Sequence, residues 1–294
     1  MKPMTRRRFL KLAGRGAAGG LLFAQGGWLT ASRGRPPSVL AVARGTDYGR
    51  LLTDALTALG GATVLARSGD HVVLKPTAAW NRPPHLAANT HPLVVQALAA
   101  LCMEAGARSV TVFDRTTYRA NLCYSTSGLA GALAQLRAPQ VRLVALSPAD
   151  FVAARDGTGQ LCRYAVDADR LVNVPQAKHH IQRTLALGVT NLLGAVGGGE
   201  PLRDEFLVWA LEQLRPQLTV LDATRLLVRN GPAGGDPADV ERRDTLVVSR
   251  DPLAVDAYGC GLFGRDWREL AYLPLAARAG LGEPDLRHVR VLEG

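Results

Sequence analysis

Lys178, His179 and His180 stand side by side just past an apolar run, residues 171–175 ("LVNVP"), and the segment that follows reaches Asn191 and the three glycines 197–199. A lysine beyond the carboxyl end of a strand, beside an amide and backbone free of side chains, suits an anion such as a carboxylate or phosphate. Imidazole exchanges protons near neutral pH. Neighbouring histidines point to opposite sides of a strand, and lie about 100° apart on a helix, so at most one of His179 and His180 joins Lys178. Lys75 repeats the pattern: it follows the apolar "HVVL" and precedes Pro76, which stiffens the exit. His91 stands just before a helix start, where free N–H groups favour an anion. Asp114 closes another apolar run and can orient a cation or a histidine. Asp256 lies among Leu253, Ala254, Val255 and Ala257, either as an exposed position or as a buried partner for Lys75 or Lys178. The expected division of labour has the lysines hold the anion and a histidine move protons, with Lys75 and Lys178 facing one pocket and Asn191 at its rim. A carboxylate such as Asp114 or Asp256 would separate the two ammonium groups.

These residues depend on elements that read as alternating strands and helices. Residues 38–43, 71–76, 109–114, 141–146, 170–175, 217–223 and 244–249 are short apolar strands. Helical spacing covers 47–59 and 204–214. A further helix opens at Thr90 as cap with a proline in its first turn and closes at Gly106, and a last one begins at Pro252 with Asp251 as cap. The rhythm predicts an α/β domain: a mixed, mostly parallel sheet with helices on both faces. Parallel strands deliver their carboxyl ends to one edge, where ligands bind.

The net charge of +10 is misleading about partners. Eight of the 35 basic residues and none of the 25 acidic ones precede residue 36, leaving 27 against 25 in the rest. That balance is no footprint for nucleic acid. The basic start, Thr5-Arg6-Arg7-Arg8-Phe9-Leu10-Lys11, matches the twin-arginine export pattern, and an apolar, glycine-rich stretch follows over 16–31. Residues 1–35 therefore read as a signal segment and 36–294 as a single domain, placed in the periplasm or on the outer face of the inner membrane. No clean Ala-x-Ala precedes the domain, so the apolar stretch is either cleaved near Thr30-Ala31-Ser32 or kept as a membrane tether.

The order of several short motifs resembles a family, the bacterial and archaeal proteins called domain of unknown function 362. They are Lys75-Pro76, Thr90-His91-Pro92 with Ala105-Gly106-Ala107 leading to Asp114, Asn173-Val174-Pro175 with Lys178, Asn191-Leu192-Leu193-Gly194, Asn230-Gly231-Pro232, and Asp251 with Val255-Asp256-Ala257. The resemblance implies a mixed α/β fold, an association with iron–sulfur proteins, and no settled reaction. It brings Asn230 into the candidate set. Three positions depart from the family pattern. Thr77 replaces an asparagine, Thr190 replaces a lysine, and Lys178-His179-His180 replaces a Lys-Thr-His segment. Any chemistry of the absent lysine would fall to His179 or His180.

Cofactor motifs are missing. Cys102, Cys123, Cys162 and Cys260 form no Cys-x-x-Cys pair, so no iron–sulfur or zinc motif is readable and the identity of any cofactor stays open. Imidazole and carboxylate at His91, His179 or His180 and Asp114 suit a divalent metal chemically, but no ligand spacing supports one. The three glycines lack the lysine and hydroxyl of a P-loop, and the serines near 125 lack a nucleophile elbow. The expectation is an exported protein that binds a small anionic substrate or cofactor and serves redox or iron–sulfur metabolism, through a partner protein of that kind. The alternative is a non-catalytic periplasmic binding or assembly partner of a redox enzyme, marked by an apolar patch in place of a polar pocket.

Overall fold

In the computed structural model, which describes residues 37–294, the strands of the main sheet are β1 (Val39–Arg44), β2 (His71–Pro76), β3 (Ser109–Asp114), β4 (Val141–Ala145), β7 (Arg170–Val174), β11 (Leu218–Leu227), β12 (Val240–Ser249) and β13 (Arg290–Glu293). Their order is β13-β1-β12-β11-β7-β2-β3-β4. Only β12 runs against its neighbours on this path; the other pairs are parallel. A three-stranded sheet of β5 (Phe151–Ala153), β6 (Gln160–Cys162) and β10 (Val196–Gly197) lies apart from it. The fold is α/β, with a mixed and mostly parallel sheet.

Strand periodicity builds two cores from one sheet. Val72 and Leu74 face α1 (Tyr48–Ala58), α2 (Pro92–Glu104), α3 (Ala120–Thr126) and α4 (Leu129–Gln135). Val73, between them, faces the opposite layer, which includes α5 (Arg163–Asp167), α6 (Gly188–Asn191), α7 (Asp204–Leu214), α8 (Pro252–Leu262) and α9 (Tyr272–Arg278). Both faces being covered explains why the central strands read as unbroken apolar runs. Among the described residues no helix is long and apolar enough to cross a membrane. The expected signal segment lies outside the described residues.

Two local expectations are corrected. Residues 176–180 do not simply lie beyond a strand end but form a strand of their own, β8 (Gln176–His180), paired in parallel with the far half of β11 and antiparallel with β9 (Thr184–Ala186). Pro175 cannot donate to a ladder, so β7 stops there; its carbonyl still accepts from Asp222 N, and pairing resumes at Gln176. The cap of α2 is His91 rather than Thr90: His91 Nδ1 accepts from Leu93 N at 3.3 Å. The Thr90 hydroxyl instead ties two strand ends together, donating to Val174 O and accepting from Thr77 N.

Candidate functional site

Parallel strands β2 and β3 carry Lys75 and Asp114 to the same edge of the sheet, one residue apart in depth. Lys75 is 1% exposed, and its Nζ lies 2.6 Å from Asp114 Oδ1, 2.9 Å from Asn191 Oδ1 and 3.0 Å from Pro76 O. All three ammonium donors are thus placed. Burial pushes the amine down, and the Asp114 carboxylate pulls it back towards the charged form. Asp114 also accepts from Ala78 N and Arg115 N, so the carboxylate is anchored from both sides. Asn191 is fixed in turn: its amide donates to Lys75 O and Asn173 Oδ1, and its oxygen takes a second bond from Thr77. Gly194 closes over the pair. A Cβ there would sit 2.6 Å from Lys75 Nζ and would overlap Asp114 Oδ1, so only glycine fits.

One face of β8 forms the opposite wall. Gln176, Lys178 and His180, two residues apart, line the same cavity as Lys75, Asp114 and Asn191, with a volume of about 260 Å³. Arg115, Arg183, Trp80 and Gly194 line it too. Lys178 is 3% exposed, and its Nζ donates to Ala88 O at 2.7 Å and Pro232 O at 3.1 Å, 5.5 Å from the centre of the Trp80 ring. Both acceptors are neutral. Burial pushes this amine down to about 7; Asp114 opposes the fall and Lys75 adds to it. Gln176 donates to the carbonyls of Ala177, Asp222 and Arg225, and its buried Oε1 has no partner.

The proton chemistry is distributed differently from expectation. Burial first, then the nearby Lys178 and Arg183, lower His180 to about 4. Its Nδ1 accepts from Gln182 N at 3.2 Å, which leaves Nε2 as the N–H donor of the neutral ring. His91 is likewise lowered to about 4, by burial and then by Arg225. Neither ring exchanges protons near neutrality, whereas burial brings Lys178 into that range.

Lys75, Asp114, Lys178, His180 and Asn191 therefore share one pocket, and four other candidates do not line it. His179 points away from Lys178, as strand alternation requires, and its Nδ1 is buried without a partner. His91 is held elsewhere, stacked on Tyr48 at 4.5 Å, with its backbone N–H on Asp222 Oδ2. Asn230 has φ +54° and donates to Asp239 Oδ2, shaping the turn that brings the Pro232 carbonyl to Lys178. Asp256 is fully buried but pairs with neither lysine. It accepts from Gly188 N at 2.6 Å, Val189 N at 2.9 Å and Tyr272 Oη at 2.9 Å, capping α6 from α8. Gln176, Trp80, Arg115 and Arg183 escaped the sequence reading. Period-two spacing from Lys178 would have found Gln176 had residues 176–180 been taken as a strand.

The residues do not fit an iron–sulfur cluster of the chain's own. All four cysteines are buried and free, and burial pushes Cys102 up to about 12 and Cys162 up to about 11, away from the thiolate that ligation needs. Among the described residues no three His, Cys, Asp or Glu side chains are grouped to hold a metal ion.

Fold and pocket together define an α/β protein with a basic cavity beyond the carboxyl ends of parallel strands. The chain belongs to the family described as Domain of unknown function (DUF362), whose model matches residues 72–261. It is 32% identical over 222 residues to a thylakoid-associated protein of Synechocystis sp., covering 70% of this chain and 66% of that protein. Among solved structures it is similar to the lactate racemase apoprotein from Thermoanaerobacterium thermosaccharolyticum, with TM-score 0.48, 11% identity, and 76% of this chain against 56% of that one. A Thermotoga maritima protein gives TM-score 0.41 at 14% identity, with 74% and 59% covered. In each case the chain spans less than two thirds of the other protein's length.

Proposed function

We propose that the protein binds a small anion, a carboxylate in the first instance, in the pocket between β2, β3 and β8. One observation carries this reading: Lys75, Lys178, Arg115 and Arg183 line the cavity against a single carboxylate, Asp114. Asp114 is already committed to Lys75, and Asp204, outside the lining, lies 3.6 Å from Arg183, which leaves Lys178 and Arg115 as the positive groups that face the cavity. A volume of about 260 Å³ suits a compound of a few carbon atoms. Titration calorimetry with oxalate tests the reading. Oxalate should bind, more tightly as pH falls through about 7, where Lys178 gains its proton. Lys178→Met should weaken binding roughly ten- to a hundredfold, the range for a hydrogen bond to a charged group. Absence of binding, or unchanged affinity in the variant, would refute it.

The setting is part of the proposal: export by the twin-arginine route to the periplasm or the outer face of the inner membrane, in service of redox or iron–sulfur metabolism. The Thr5–Lys11 pattern and the family support it. The cysteines leave any cluster to a partner protein. A second reading, a non-catalytic binding or assembly partner of a redox enzyme, draws on Tyr118 and Ile181. These exposed apolar side chains each follow a pocket-lining residue, Thr117 and His180.

A further inference from the structure

The chain holds only four lysines, Lys2, Lys11, Lys75 and Lys178, among its 35 basic residues. Within residues 37–294 there are two, and both are buried in the one pocket; every other cationic side chain in that span, apart from histidine, is arginine. A guanidinium keeps its charge under all ordinary conditions, whereas an amine can lose its proton and become a nucleophile. Where arginine serves everywhere else as the cation, an amine kept at these two positions points to a need for an amine.

The two amines are not equivalent. Lys75 has a carboxylate at 2.6 Å and all three hydrogens placed. It is a fixed cation. Lys178 has only the carbonyl oxygens of Ala88 and Pro232, which hold an amine without requiring its charge. Beside it on the same strand face stands Gln176, a residue of the pocket lining whose buried Oε1 has no partner. On its other side is His180, whose neutral ring offers an Nε2–H.

We propose that Lys178 is a Schiff-base lysine, whose ε-amine condenses reversibly with the carbonyl carbon of a small oxo-carboxylate bound in this pocket. The proposal rests on the anion-binding reading above and names the ligand class. The Nζ lone pair forms the new C–N bond while the carbonyl π pair moves to oxygen. The two amine protons pass to that oxygen, which leaves as water, and a C=N bond remains; no oxidant or reductant takes part. Arg115 holds the carboxylate, with Arg183, which also pairs with Asp204 at 3.6 Å, beside it. The His180 Nε2–H polarises the carbonyl oxygen, and Gln176 Oε1 accepts the hydroxyl hydrogen of the carbinolamine. At pH 7 about half of Lys178 is free amine, against roughly one part in three thousand of a lysine at its ordinary value.

Glyoxylate with sodium borohydride tests this on the full chain, because hydride reduction fixes the imine as a carboxymethyl-lysine readable by peptide mass spectrometry. The folded protein should gain one carboxymethyl group, on Lys178, with a yield that rises as pH increases through 7. Labelling of Lys75 should be at least about tenfold lower, and oxalate should block the reaction. Lys178→Arg should abolish the adduct, and Lys178→Met keeps that arm informative if the arginine variant does not fold. No adduct on the folded protein, or labelling of Lys178 no faster than after unfolding in urea, overturns the proposal. Oxalate binding without a glyoxylate adduct would remove the Schiff base and leave the anion pocket standing. Failure of both would remove both.

Discussion

Replacing Lys178 with methionine should alter stability in a way that depends on pH, with a sign fixed by the surroundings of the amine. Burial lowers Lys178 from an ordinary 10.5 to about 7. Its folded value lies below the unfolded one, so the unfolded chain binds the extra proton first. Stability is therefore highest above about pH 10.5 and drains as pH falls to about 7, after which the loss is complete. At about 1.4 kcal/mol for each tenfold change in proton affinity, the full loss is on the order of 5 kcal/mol. Methionine removes this dependence. It also leaves the carbonyls of Ala88 and Pro232 without their donor, a pH-independent penalty of roughly 1–3 kcal/mol each. The variant should thus be less stable than the wild type near pH 10, and should gain on it by about 1.4 kcal/mol per pH unit down to pH 7. Paired urea unfolding curves, followed by far-ultraviolet circular dichroism from pH 6 to pH 10, read the difference directly, and most other titrating groups cancel. A difference constant to within about 1 kcal/mol over that range would refute the claim that the ammonium is desolvated.

Gly194→Ala should destabilise the fold by about 2–4 kcal/mol, because its methyl would enter the space of the Lys75–Asp114 pair, where overpacking and a strained buried ion pair act together. A thermal unfolding midpoint equal to the wild type would show that the loop over the pair gives way freely. Replacing Arg6 and Arg7 with lysine should keep folded protein in the cytoplasm. Fractionation that finds undiminished periplasmic or membrane-face protein would reject the twin-arginine assignment.

The layered fold was legible because burial on both faces leaves a strand with no polar alternation to disguise it. β3 has the bounds read from residues 109–114, and α7 those read from 204–214. What escaped was structure made by partners distant in sequence. β8 looks like a polar loop, since Gln176, Lys178 and the histidines have no strand propensity worth the name. It is a strand because β11 and β9 stand ready on either side. The cap of α2 moved from Thr90 to His91 for a similar reason: the threonine hydroxyl is claimed by Val174 O, a residue 84 positions away.

The same distinction separates the buried charges that line the pocket from those that do not. Lys178 and Asp256 are both ionisable groups that the fold buries, and burial moves both to about 7, the lysine downward and the carboxyl upward. Asp256 has two backbone N–H groups and a tyrosine hydroxyl around it and does not line the pocket that holds Lys178. Its oxygens are spent on holding α6 against α8. Lys178 has two neutral acceptors, an open cavity and an unpartnered amide oxygen on the same strand face. A buried charge whose bonds are complete explains a fold, whereas one left with unfilled space beside it asks for a ligand. That space is built by the Trp80 loop, the Gly194 turn and the Arg183 hairpin, which no spacing around residue 178 encodes. The composition did hold one readable trace, an amine kept at two positions in residues 37–294, which otherwise use arginine. Its meaning emerges only when both amines are found facing the same cavity.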